Sequence, residues 1–124
     1  MTSDDFRTLA LGLPGAIENS HMGHPDFRVN GKIFATLHYP DEHWGMVKLS
    51  PEQQHTYVQL DPDTFVPVKG AWGRQGATAV RLRTARTSML EEALRLAWTT
   101  TAAAVAKVKV SGRKRQASAP NAGL

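Results

Sequence analysis

The chain contains no cysteine. That removes disulfides, thiolate metal sites and cysteine nucleophiles together, and it fits a reducing cytosol. No apolar run approaches the ~18 residues that cross a bilayer. The opening Met1-Thr-Ser-Asp-Asp has neither a basic n-region nor an apolar h-region. The sequence therefore predicts no secretory signal, no membrane span and a cytoplasmic location. No internal repeat is present. There is no Gly-x-Ser-x-Gly elbow. His38, His43 and His55 stand apart in sequence, and none has a partner that would make it a general base. Nothing marks a catalytic apparatus, so the expectation is a non-enzyme without a cofactor.

What is present fits one domain. The 124 residues are 41% hydrophobic and 21% charged, ordinary values for a globular chain able to bury a single core. The net charge of +4 reads at first as a nucleic-acid signature, but its distribution changes that reading. Lys107, Lys109, Arg113, Lys114 and Arg115 supply +5 with no acid among them. Residues 1–106 carry 10 basic and 11 acidic side chains. Within them, residues 1–63 are net −5 and residues 64–106 net +4. The expectation is an ordered domain over residues 1–108 and a disordered basic tail over 109–124, where small and polar residues dominate.

The spacing predicts a helix over Asp4–Leu11, capped by Ser3, with Phe6, Leu9, Ala10 and Leu13 inward. Extended segments flank a turn at Gly23-His24-Pro25, and Asn30-Gly31 is a strong hairpin signal. The returning strand alternates Ile33, Ala35 and Leu37 with Phe34, Thr36 and His38. Trp44–Leu49 reads as the next strand. Ser50-Pro51-Glu52-Gln53 is a capping box with proline at the first helical position, and it opens a helix to Leu60. Gly70–Gly76 reads as a loop or hairpin tip, and Thr78–Arg83 as a strand with Arg81 and Arg83 on one face. Ser88–Glu91 reads as a capping box opening a last helix to Ala106, with Leu90, Leu94, Ala97, Trp98, Thr101 and Val105 inward. The order implies an α+β domain: a twisted antiparallel sheet with helices packed on one face.

Three features invite chemistry. His21-Met-Gly-His24 has a metal-like spacing, but Gly23 and Pro25 argue against a helix. On an extended segment the two rings should diverge, so a metal site is disfavoured. Gly70-x-Trp-Gly-x-x-Gly76 lacks the Gly-Lys-Ser/Thr of a phosphate loop and leads into a strand, so turn chemistry explains it better. The basic set Lys69, Arg74, Arg81, Arg83 and Arg86, with Trp72 among it, is the most suggestive. Guanidinium forks match phosphate oxygens, and an exposed aromatic can stack on a base. The plain alternative is a solvated sheet face that balances an acidic N-terminal half, with Trp72 in the core. The tail cations could add phosphate contacts at low salt, or simply solubilise the chain.

Two long segments carry a resemblance. Ala10-Leu-Gly-Leu-Pro-Gly-Ala-Ile-Glu18 and His24-Pro-Asp-Phe-Arg-Val-Asn-Gly-Lys-Ile-Phe-Ala35 are similar to the signature of MmcQ/YjbR-like proteins. Trp72-Gly-Arg-Gln-Gly76, Val80-Arg-Leu82 and Leu90–Trp98 resemble the closing strand and helix of the same family. The resemblance implies a frataxin (CyaY-like) arrangement, a cytoplasmic bacterial protein and a DNA-binding role through a double wing of hairpins. It would put Arg28, Asn30 and Lys32 on one wing and Trp72, Arg74 and Arg81 near the other. It implies no catalytic residues.

The leading expectation is thus a monomeric domain that contacts DNA phosphates without sequence specificity through Arg28, Lys32, Lys69, Trp72, Arg74, Arg81 and Arg83. The rival is a protein-interaction or small-ligand module using the strand face and the Trp44 and Trp72 region as a pocket. Metal handling by analogy with frataxin would need an acidic ridge, of which Asp4-Asp5 is only a fragment.

Overall fold

The computed structural model describes the backbone of residues 1–114 and the side chains of residues 1–104. The chain begins with helix α1 (Ser3–Leu11). Its cap is Thr2, not Ser3. The Thr2 hydroxyl accepts from the Asp5 amide, and the Asp5 carboxylate accepts from the Thr2 amide. The threonine one step earlier wins because only it has a carboxylate three residues on, and these contacts hold the Asp5 carboxyl below its ordinary range.

A meander of four strands follows: β1 (Ile17–His21), β2 (His24–Val29), β3 (Lys32–Leu37) and β4 (Trp44–Lys48). Met22 and Gly23 form the first turn, both at positive φ (51° and 80°). Asn30 and Gly31 form the second, at 52° and 81°. Positive φ at both central residues matches the twist of a two-residue hairpin. Helix α2 (Pro51–Leu60) carries the expected cap, Ser50 to Gln53 and back. Strand β5 (Phe65–Pro67), short helix α3 (Ala71–Arg74), strand β6 (Ala77–Arg81) and a 3-10 turn (Leu82–Thr84) lead into α4 (Thr87–Lys114). The expected boundary near residue 108 falls inside α4, and residues 115–124 of the expected tail lie outside the described residues.

The six strands form one antiparallel sheet in the order β1-β2-β3-β4-β6-β5. One face carries the main core. Phe27, Ala35, Leu37, Val47, Phe65 and Val80 meet Phe6 and Ala10 of α1, Tyr57 of α2, and Leu90, Ala93, Leu94 and Ala97 of α4. The register slips from Phe27–Ala35 to Arg28–Ile33, which leaves Phe34 as the extra residue of a β-bulge. Phe34 therefore joins Ala35 and Leu37 in this core, while Ile33 turns to the other face with Arg28. Strict alternation had assigned them the reverse way.

Gly45 has a packing reason on this face. A Cβ there would lie 2.6 Å from Phe6 Cε2, so only a bare backbone lets α1 seat. Trp98 Nε1 donates to the Pro14 carbonyl at 2.8 Å and ties α4 to the segment after α1.

The Gly70–Gly76 segment and the start of α4 also differ from the sequence expectation. Gly70–Gly76 contains a helical turn, because Arg74 N and Gln75 N bond back to the carbonyls of Gly70 and Ala71. Helix α4 takes its first backbone bond at the Arg86 carbonyl, so Ser88 lies inside the first turn and is not its cap.

Candidate functional site

The sheet face away from the long helices is where the chemistry-bearing side chains gather. Cross-strand partners share a face, so the register fixes its rows. Asp26, Thr36, Met46, Ala79 and Val66 lie across the middle of the sheet, and Trp44 and Arg81 lie one row along. Met46, Val68, Ala77 and Ala79 form a small second core here, with Tyr39 and Trp44 packed on it. Helix α3 turns toward the same face: the Trp72 ring meets the Tyr39 ring edge-on, with centroids 6.0 Å apart at 87°. Tyr39 in turn meets His24 at 6.1 Å and 78°. His24, Tyr39 and Trp72 thus form a row of rings drawn from β2, the β3–β4 loop and α3.

Beside this row runs a groove of about 300 Å³, lined by Tyr39, Pro40, Trp44, Val66, Pro67, Val68, Lys69 and Ala79. Lys69 is its one charged lining residue. The Arg81 guanidinium lies over the Trp44 ring, 4.4 Å from its centroid, and Arg81 Nε donates to the Asp63 carbonyl at 3.0 Å. These contacts hold Trp44 as a preset wall. Two buried polar atoms on this side of the sheet, His24 Nδ1 and Thr36 Oγ1, have no hydrogen-bond partner among the described residues. A water or ligand atom would satisfy them.

At the β1–β2 end the two histidines do not diverge. Met22-Gly23 turns so tightly that His21 and His24 become cross-strand partners, with ring centroids 6.2 Å apart. His21 Nδ1 lies 2.7 Å from Asp26 Oδ2. Asp26 has no exposed side-chain surface, and it also accepts from Arg28 Nε at 2.8 Å and Nη2 at 3.1 Å. The Arg28 fork is the chief cause that holds the Asp26 carboxyl below the usual range; His21 adds to it and burial opposes it. Asp26 in turn makes the Arg28 guanidinium harder to deprotonate. Among the described residues, no group of three or more histidines, cysteines, aspartates and glutamates could hold a metal.

Lys69 just before the Gly70 cap, and Trp72 and Arg74 within α3, are all exposed and lie within six residues of one another in the chain. Arg81 lies at the other end of β6 from α3 and is engaged by Trp44 and Asp63, so it does not join them. Arg28 is locked to Asp26, three strands away in the sheet order, which puts its Cα roughly 20 Å from that of Arg81. Lys32 pairs with Val29, whose side chain enters the main core, so Lys32 lies on the opposite face from Arg28. The two do not form one wing. Arg83 falls in the 3-10 turn after β6, because the strand ends at Arg81, and it shares no sheet face with Arg81. Sequence reasoning missed Tyr39, Pro40, Pro67 and the Asp26 cluster. The Tyr39-Pro40 and Val66-Pro67 pairs bear on one groove only through the strand order, which places β5 beyond β6.

The fold defines a small single α+β domain with six antiparallel strands and its longer helices packed on one face. The YjbR family model matches residues 11–100, and the chain belongs to that family. Its fold matches a crystal structure of Deinococcus radiodurans protein DR2400, a DUF419 domain. The TM-score is 0.66 at 22% identity, over 78% of this chain and 75% of that one. No protein with a curated description matches the chain. Among the described residues, no helix is long and apolar enough to cross a membrane.

Proposed function

We propose that this YjbR-family chain is a non-enzymatic, monomeric, cytoplasmic domain that binds nucleic acid with little sequence specificity, using the α3 turn and the groove beside it. One observation carries the reading. Trp72 keeps 39% of its surface exposed although Tyr39 holds it edge-on, and exposed Lys69 and Arg74 flank it in the chain, before and at the end of α3. An aromatic fixed between two cations can stack on a base while the cations meet phosphates. Among the described residues neither cation forms an ion pair. The site is much smaller than the seven-residue surface that the sequence proposes.

The test is fluorescence anisotropy with labelled DNA, using the full chain with Lys107, Lys109, Arg113, Lys114 and Arg115 replaced by glutamine. Binding should survive that change. It should weaken about 10-fold between 50 and 200 mM salt, as two phosphate contacts require, and weaken at least as much in Lys69→Glu/Arg74→Glu. Binding that disappears with the tail cations would refute the reading. The groove also supports a second reading, a small-ligand or protein-interaction module, because its lining is apolar except for Lys69. A thermal shift with a metabolite panel but none with DNA would favour it.

A further inference from the structure

We infer that the nucleic acid this site takes is single-stranded, with one unpaired base seated in the groove and the next stacked on Trp72. The inference rests on the nucleic-acid reading above and deepens it.

The charge inventory argues first. Lys69 and Arg74 are the cations at the site with no engagement among the described residues, since Arg81 is held by Trp44 and Asp63. At the opposite rim the β3–β4 loop follows Pro40 with Asp41 and Glu42, both exposed. Two phosphate contacts against two nearby carboxylates give little electrostatic hold on a duplex. Binding here has to come mainly from ring contacts.

Shape argues second. Duplex DNA offers side chains its base edges, and reading them takes a helix or a ribbon that enters a groove. Helices α1, α2 and α4 spend their apolar faces on the main core, and α3 has four residues. What this face offers is flat aromatic surface: Trp72, Tyr39 and Trp44. A base exposes its π-face to such surface only when it is unpaired.

The layout completes the case. A groove of about 300 Å³ is at the small end of ligand clefts and suits one ring system. Lys69 lines that groove and lies three residues before Trp72. As the charged residue of the groove lining, it is the cation available to the phosphate that joins a base in the groove to a base on Trp72. The footprint is two nucleotides, bridged at Lys69.

The experiment compares a labelled 15-nucleotide oligothymidine with a 15-base-pair duplex, using the tail-substituted full chain at 50 mM salt. Single strands should bind at least 10-fold tighter. Trp72→Ala should weaken single-strand binding roughly 10-fold, the loss of one stacked base, and leave duplex binding nearly unchanged. A second readout does not depend on a truncating substitution. In Trp72→Phe/Trp98→Phe only Trp44 fluoresces, and oligothymidine should quench it. Duplex binding equal to or tighter than single-strand binding, or a Trp44 signal that does not respond, overturns the inference and leaves the nucleic-acid reading standing. Binding of neither form overturns both.

Discussion

Asp26→Asn is the sharpest probe of how the open face is held. The carboxylate has no exposed surface and accepts three hydrogen bonds, two from Arg28 and one from His21. Asparagine keeps the shape and one good acceptor but loses the charge, and its NH2 group faces donors. Net hydrogen bonds to charged groups contribute ~1.5–3 kcal/mol, and stranding a buried charge costs more. Here the partners can turn partly to water, since the Arg28 and His21 side chains are 26% and 33% exposed. The loss should therefore be about 2 kcal/mol, toward the lower end. For a domain between the ~100- and ~150-residue classes that lowers Tm by roughly 6–10 °C.

The pH dependence gives a second handle. The folded Asp26 carboxyl sits below its ordinary value, so its stabilisation is fully present above the unfolded value of about 3.9. That stabilisation is lost as pH falls through the lower, folded value. Thermal melts of both proteins should show a constant gap from about pH 7 to pH 5 that closes in acid below about pH 4. A gap under ~1 °C at neutral pH, or one that persists unchanged to about pH 2.5, would refute the reasoning.

Gly45→Ala should cost about 1–3 kcal/mol by urea denaturation, because the new methyl meets the fully buried Phe6 ring and α1 must shift. Burial and the Glu92 carboxylate that accepts from its hydroxyl push the Tyr57 phenol far above its ordinary value. Phenolate absorbance followed into strong alkali should accordingly show a late component that Tyr57→Phe removes. Trp98→Phe should cost about 1 kcal/mol, the net worth of its bond to the Pro14 carbonyl, with circular dichroism unchanged at room temperature. Gly76→Ala should fail to fold, since φ there is +113° and a Cβ would lie 1.9 Å from the Leu49 carbonyl oxygen. Soluble, cooperative melting of that variant would contradict the close approach.

Most local signals with a near partner were legible in the sequence, although the caps read at Ser3 and Ser88 fall one or two residues earlier. The Ser50–Gln53 box, the Asn30-Gly31 turn and the inward faces of α1 and of α4 at Leu90, Leu94, Ala97 and Trp98 depend on residues close in the chain, and they form as expected; the side chain of Val105 lies outside the described residues. Features decided by a neighbour far along the chain were not. The bulge at Phe34 answers to β2, and it exchanged Ile33 and Phe34 between faces. The early end of β6 shifted Arg83 off the sheet. The Met22-Gly23 turn was read one residue late, and with it the claim that the histidine rings diverge. Trp44 and Trp72 were both seen as pocket candidates. The groove takes Trp44 in its wall but reaches Trp72 only through Tyr39, which sequence spacing could not supply.

Strand β1 is the outermost strand, and β2 is its one partner in the sheet. Four of its five residues are exposed. A strand with so little buried apolar surface opens at a small fraction of the free energy of global unfolding. Amide hydrogen exchange should therefore grade across the sheet, slowest in β4 and β6 and fastest in β1. The His21–Asp26 bond would act as the latch that slows this edge. Loss of that latch would release the outer strand on its own while the ring-lined face keeps its native protection.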